Sequence, residues 1–332
     1  MKVVHVQRPG GSEALNYVEV PKPQACPSEV LVRARACGVG RVDALIRRGI
    51  YHQMPPLPAN PGNELAGEVE TVGAEVHGFD VGDKVFIGAR DLPQRGGCYT
   101  EFLCVKADVP HKLPAQVNLE EAACLANYQV AWALLHHAVS LSPPKTVLVI
   151  GAAGGIGSAL VQLAKVANLD VIGAVSSPEK ADFAKRMGAD QVINYRTEDV
   201  IESTMSITSQ RGVDAIFDHA CGADFYRYPT ILSDWGCLVS YNAFTPIPKK
   251  DLLRALRESV DKCPAVRCFS SHVFDTRSEE RRGITAKLIG LLAKGSIKPA
   301  IGARLPMSEV RTAHEMLDAG QSLGKILLIP SS

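Results

Sequence analysis

The segment Val147-Leu-Val-Ile-Gly151-Ala-Ala-Gly154-Gly155-Ile156-Gly157 has the residue types and spacing to hold a diphosphate. An unbroken apolar run enters a glycine turn, and Ala159, Leu160, Leu163 and Ala164 then recur with the period of an amphipathic helix. Gly154 and Gly155 leave no Cβ between the backbone and a pyrophosphate, and Gly157 lets the new helix pack closely on the strand. The first N–H groups of that helix, around Ile156, lack partners and carry partial positive charge. The plainer reading is a tight strand–helix turn without ligand, but three close glycines cost conformational freedom that it leaves unexplained.

The kind of dinucleotide is decided at the end of the following strand, where NAD sites usually carry Asp or Glu. Here the chain reads Ala174-Val175-Ser176-Ser177-Pro178-Glu179-Lys180. No carboxylate stands at the strand end. Ser176, Ser177 and Lys180, with Tyr195 after the third strand, offer hydroxyls and a cation for a 2′-phosphate, which favours NADPH over NADH. Ser177 ahead of Pro178 equally suits a helix N-cap. Glu179 either turns away as a first-turn dipole partner or disfavours the phosphate.

These residues need strands and helices to place them. After Pro143-Pro144, strands are expected at Thr146–Ile150, Val171–Val175, Gln191–Asn194, Ala215–Asp218, Cys237–Tyr241 and Val266–Ser270, with helical patterns between them. Six strands linked by crossover helices make a doubly wound parallel sheet, an α/β Rossmann unit. Before about Leu113 the chain has short β signals broken by Gly and Pro, which point to a small, mostly β domain. Asn118 followed by Glu121 predicts the start of one long helix running to about His137. Two tail helices and a last strand, Ile326–Ile329, have no place in the six-stranded sheet, so the tail is expected to return to the first domain.

The 332 residues suffice for two domains, and 46% hydrophobic with 21% charged residues is ordinary for a globular chain. A net charge of +1 gives no footprint for nucleic acid or an anionic membrane. The nine cysteines form no Cys-x-x-Cys pair, which predicts buried free thiols in a reducing compartment. With no leader pattern and no spanning stretch, the expected location is the cytoplasm.

The order of further motifs resembles the medium-chain dehydrogenase/reductase superfamily, in its zinc-free quinone oxidoreductase (ζ-crystallin-like) branch. The matching pieces are Ala36-Cys-Gly-Val39 with Asp43, Arg47-Arg-Gly49-Ile-Tyr51, Pro61-Gly-Asn-Glu64-Leu-Ala-Gly67, Val72-Gly73, Phe79-Asp-Val-Gly82-Asp83-Lys-Val85, the Gly151–Gly157 turn, and Gly324-Lys325. The resemblance implies a GroES-like catalytic domain over residues 1–120, a Rossmann NADP-binding domain over 121–265, and a last Rossmann strand with return over 266–332. It also implies NADPH as cofactor and a homodimer joined through the sixth strand, unless that edge is covered. Zinc members carry Cys where this chain has Gly40 and Gly-His-Glu where it has Gly62-Asn63-Glu64, and between Ile87 and Glu101 only Cys98 occurs. No metal is therefore expected.

A metal-free site suits acceptors that are already electrophilic, so the expected reaction is NADPH-dependent reduction of quinones or α,β-unsaturated carbonyls. The alternatives are an enoyl-thioester or alkene reductase, or an NADPH-binding sensor that works through interaction. By resemblance Tyr51 polarises the acceptor or only lines the pocket, and Arg41 contacts cofactor or acidic substrate or stays solvated. Many relatives have Thr where Val130 stands and Asn where Gly40 stands; Asn127, one turn earlier than Val130, compensates or is a plain helix amide. His219 and Cys221, then Tyr241, Asn242 and Ala243, follow the fourth and fifth strands, at the ends where such sheets bind ligands. Lys325 reaches the cofactor or fixes the C-terminal turn.

Overall fold

Apolar residues recur at alternate positions in Val30-Leu-Val-Arg-Ala-Arg-Ala36, the period of a strand with one buried face. The computed structural model of the chain forms a strand there, Glu29–Val39, and it organises the N-terminal part. The structure describes residues 1–139, 144–241 and 251–331. In chain order the N-terminal elements are β1 (Lys2–Val6), β2 (Leu15–Glu19), β3 (Glu29–Val39), α1 (Arg41–Arg47), β4 (Glu64–Val72), β5 (Lys84–Gly88), β6 (Phe102–Lys106) and β7 (His111–Lys112). Then come α2 (Leu119–Ala122), α3 (Leu125–Ala133), β8 (Thr146–Ile150), α4 (Gly155–Val166), β9 (Asp170–Val175), α5 (Pro178–Arg186) and β10 (Gln191–Asn194). They are followed by α6 (Val200–Ile207), β11 (Val213–Asp218), β12 (Leu232–Tyr241), α7 (Leu252–Glu258) and β13 (Ala265–Phe269). The tail adds α8 (Ser278–Ala293), β14 (Ile301–Pro306), α9 (Val310–Asp318) and β15 (Lys325–Ile329).

The chain separates into two units, one of Met1–Ala126 with Ser278 onward, the other Asn127–Arg277. In the first, the larger sheet runs β14-β15-β3-β4-β5-β7, and β6 also pairs with β3. Strand β3 serves two partners on one edge. Glu29–Arg33 pairs with β6 and Cys37–Val39 with β15, both antiparallel. The tail thus completes the first unit's sheet, and its core includes Val32, Ile46, Leu65, Ile87, Tyr99 and Leu328.

The second unit is a six-stranded sheet in the order β10-β9-β8-β11-β12-β13, parallel at every pairing. Its central strands are nearly all apolar because helices cover both faces of such a sheet. The strand order reverses between β8 and β11, and ligands of open parallel sheets bind at the carboxyl ends beside such a switch.

One expected element is corrected. The long helix from Asn118 to His137 is interrupted at Ala123 and Cys124, between α2 and α3. Asn118 does cap its start, accepting from the N–H groups of Glu120 and Glu121. The break follows from Ala126, whose N–H donates to the carboxylate of Glu64 at 2.7 Å instead of continuing the α2 ladder. The end of that stretch, Leu134–Ala138, is a π-helix. The cysteines are free; Cys37, Cys98, Cys124 and Cys237 are buried, whereas Cys26, Cys263 and Cys268 are exposed. Among the described residues no helix is long and apolar enough to cross a membrane.

Candidate active site

In the second unit β8 delivers the chain to Gly151, whose φ of +76° is a left-handed conformation that side chains disfavour. Its N–H donates to Ala174 O at the end of β9, fixing the turn to the neighbouring strand. A Cβ on Gly151 would run into the His219 imidazole, and one on Gly157 into the Gly151 carbonyl oxygen. Gly157 is thus the residue that lets α4 pack on the turn. At Gly154, the N-cap, φ is −77°, so its backbone does not require glycine. What glycine gives there is an open approach to the first N–H groups of α4, at Gly155, Ile156 and Gly157, which have no partners inside the helix.

The carboxyl end of β9 gathers the residues expected to choose the cofactor. Ser177 caps α5, its hydroxyl accepting from Lys180 N–H at 3.3 Å, with Pro178 in the first turn. Ser177 is therefore engaged as a helix cap. The Lys180 ammonium donates to the Ser176 hydroxyl at 3.2 Å, so these two side chains lie together. Tyr195, 46% exposed, follows β10, and its N–H donates to Val175 O, which brings it to the same end of the sheet.

The next two strand ends are joined by polar contacts. Asp218, the last residue of β11, accepts from Ala220 N–H and Cys221 N–H, and Cys221 takes a φ of +47° in the resulting turn. Cys221 Sγ lies 3.1 Å from Ser240 Oγ, and the ring of His219 meets that of Tyr241 edge-on at 6.0 Å. Among the described residues, the Tyr241 hydroxyl and Asp218 Oδ2 are buried without a hydrogen-bond partner. Burial pushes the Asp218 carboxyl, the Tyr241 hydroxyl and the Cys221 thiol all upward. Asn127 and Val130 lie one turn apart on α3 and are half-buried. Asn242 and Ala243 lie outside the described residues.

In the first unit Arg41, exposed, begins α1, and Tyr51 follows the end of that helix. Tyr51 is 7% exposed, with its ring in the apolar core and edge-on to His52. The same unit holds a buried charged cluster that sequence reasoning missed. The Lys325 ammonium pairs with Glu64 at 2.6 Å, and both side chains are buried. Asp43, with no exposed surface, accepts from Gly40 N–H at 2.8 Å and from Gly62 N–H at 2.9 Å. Burial pushes Asp43 up to about 6, against the pull of Lys325, the two amides and a hydrogen bond from Tyr99. Burial likewise raises Glu64, while for Lys325 the cost of burial is outweighed by Glu64, and its pKa rises. Lys325 thus gives its charge to Glu64 inside the first unit. A Cβ added to Gly40 would stand 3.8 Å from that ammonium, and one added to Gly38 2.6 Å from Glu64 Oε1 and from Lys325 Cε.

Comparison with known proteins places both units. The GroES-like domain of alcohol dehydrogenases matches residues 26–115, and the family described as zinc-binding dehydrogenase matches residues 155–260. The chain is 32% identical over 323 residues to the human synaptic vesicle membrane protein VAT-1 homolog, covering 93% of this chain and 80% of that one. It is 31% identical over 336 residues to mouse quinone oxidoreductase, covering 99% and 98% of the two. The crystal structure of Escherichia coli quinone oxidoreductase complexed with NADPH superposes with a TM-score of 0.86 at 30% identity, covering 99% of this chain and 100% of that one. This chain belongs to the medium-chain dehydrogenase/reductase superfamily. Within it, it falls among the quinone oxidoreductase-like proteins.

Proposed function

We propose that this protein is an NADPH-dependent oxidoreductase that reduces quinones or α,β-unsaturated carbonyl compounds without a metal ion. The observation that carries the reading is the passage from β8 into α4, where Gly151 and Gly157 are required by packing and the helix start is left open. NADPH, when bound, supplies the hydride. Its diphosphate fits the bare N–H groups of Gly155, Ile156 and Gly157, as anions do at helix starts. Ser176 and Lys180, already in contact, with Tyr195 beside them, suit the 2′-phosphate. His219, Cys221 and Tyr241, Asn242 and Ala243 beyond them, and Asn127 and Val130 on α3 are assigned to the remaining cofactor contacts. The E. coli relative seen with NADPH supports the same choice.

On the substrate side, Tyr51 donates a hydrogen bond to the acceptor oxygen and Arg41 steers or holds the acceptor. A quinone or enone spreads the arriving charge onto oxygen, so a hydrogen bond can do what an alcohol dehydrogenase asks of a Lewis acid. Two observations support a zinc-independent site. Gly40 and Asn63 stand where zinc members carry Cys and His, and the neighbouring Glu64 is already held by the Lys325 ammonium, a poor companion for a second cation. The free thiols fit a cytoplasmic setting. Among the described residues β13 is the edge strand of its sheet, which fits a homodimer joined there.

The test is calorimetric. NADPH should bind more tightly than NADH, and Lys180→Ala should remove about tenfold of NADPH affinity while leaving NADH unchanged, since a charged hydrogen bond is worth about 1.5–3 kcal/mol. The wild type should then oxidise NADPH with a simple naphthoquinone or a linear enone, more slowly as Tyr51→Phe. Absence of binding by either nucleotide would end the reading.

A further inference from the structure

We propose that Asp43 is a positioning residue for this reduction, its ionised carboxylate bolting the Gly40 turn to the Gly62 turn and so holding α1, with Arg41 at its start and Tyr51 just beyond its end. The inference rests on the function proposed above. Asp43 is the third residue of α1, where an acid commonly reaches back to the N-cap N–H, and it does so here with Gly40. A simple cap ends there, on a solvated helix start. Asp43 is fully buried and its second oxygen accepts from Gly62, in a different loop. Gly62 has a φ of +104°, and a Cβ on it would strike the backbone of Cys98 and Tyr99. The Gly62 turn, which cannot easily relax, therefore meets the extended Gly40 turn on one carboxylate. The link onward to Tyr51 is short, because Ile50 N–H donates to Leu45 O of α1.

The groups around Asp43 define how the bolt responds to protons. Lys325 faces it from β15, Cys37 from β3, and Cys98 and Tyr99 from the segment before β6, while Glu64 of β4 shares Lys325, Cys37 and Cys98 as neighbours. Lys325 is the one cation among them and is engaged by Glu64. Tyr99 donates to Asp43, and its oxygen lies 3.3 Å from His314 Nε2 of α9. Burial and the Arg47 charge hold His314 down to about 3, so it stays neutral in the working range and adds no charge. Ionised Asp43 is thus held by the Lys325 charge first, and then by hydrogen bonds from two amides and one phenol. Protonation converts one oxygen to a donor, and one of the two amides then loses a good acceptor inside the protein. The tie should weaken as pH falls through about 6.

The experiment compares wild type, Asp43→Asn and Tyr99→Phe in NADPH-dependent reduction of a naphthoquinone, with NADPH affinity and amide exchange at Gly40 and Gly62 measured alongside. Wild-type kcat should fall in acid with a midpoint near pH 6, and exchange at the two glycines should quicken over the same range. Asp43→Asn should lower kcat about 10- to 100-fold with that acid limb gone, leaving NADPH affinity within about twofold. Tyr99→Phe, which keeps the clamp and removes one donor to the carboxylate, should move the limb about one pH unit upward. A limb that persists in Asp43→Asn, or one that Tyr99→Phe leaves in place, overturns the proposal. If Asp43→Asn does not fold, Tyr99→Phe and the exchange profile decide it. Loss of NADPH binding in the wild type would sink the functional reading instead, whereas binding and turnover with unshifted profiles sink only this one.

Discussion

The two units build their polar sites by opposite means. In the second, donors come from backbone at one turn, Gly151 to Gly157, with a lysine and serine four residues apart at the next strand end. In the first, the polar centre is made of buried side chains, Asp43, Glu64 and Lys325, contributed by α1, β4 and β15. A backbone site is held by the sterics of a few adjacent residues. A side-chain cluster is held by charge balance among distant ones. The two should therefore fail differently.

The largest effect is expected at the turn. Gly157→Val places side-chain atoms where the Gly151 carbonyl stands, and α4 cannot move away without leaving the sheet. The expected outcome is a loss of about 3 kcal/mol or more of second-unit stability and of detectable NADPH binding, read by denaturant unfolding and calorimetry. Retained binding would show that the turn tolerates what its packing forbids. Next comes the cluster. Lys325→Met leaves Glu64 buried without its cation, which should cost about 3–5 kcal/mol in urea unfolding. Adding Glu64→Gln should return part of that loss. No recovery in the double variant would mean that packing rather than charge balance holds the first unit together there.

The smallest effect separates the units by pH. Folding holds His314 down to about 3, below its unfolded value of about 6.5, so the unfolded chain binds more protons between those values. That term is favourable at neutral pH and is lost as the solution is acidified. Asp43, raised to about 6, works the other way, since the folded state then binds the extra proton between about 4 and 6. Both groups belong to the first unit. His314→Gln should therefore soften the fall in stability between about pH 7 and 5 by on the order of 1–2 kcal/mol, seen in urea midpoints. An unchanged slope would remove His314 from the account.

The same contrast explains what could be read from the sequence. Strands β8 to β13 were legible because buried parallel strands leave short apolar runs between helical patterns, and the glycine turn was legible because its constraints are local. Ser177 was equally legible as a cap, since the cap is written in neighbouring residues. Asp43, Glu64 and Lys325 gave no joint signal, because only the pairing of β15 with β3 brings Lys325 to the other two. Asp218 was missed for a related reason, as its role lies in the turn it closes rather than in any spacing. The interruption at Ala123 and Cys124 was hidden too, since it depends on an acceptor from β4. Strand β14 was also missed; its alternation is clear, but it sits in a tail read as helices and one closing strand.

Strand β3 cannot complete its pairing until β15 has been made, whereas Asn127–Arg277 is contiguous. During synthesis the middle of the chain therefore has all its sheet partners before the tail is made, whereas the opening segment can pair β3 with β4 and β6 but leaves the edge at Cys37–Val39 unpaired until β15 follows. N-terminal-first folding on the ribosome can therefore finish the second unit's sheet before the first unit's, whose last open edge is the short stretch that β15 covers.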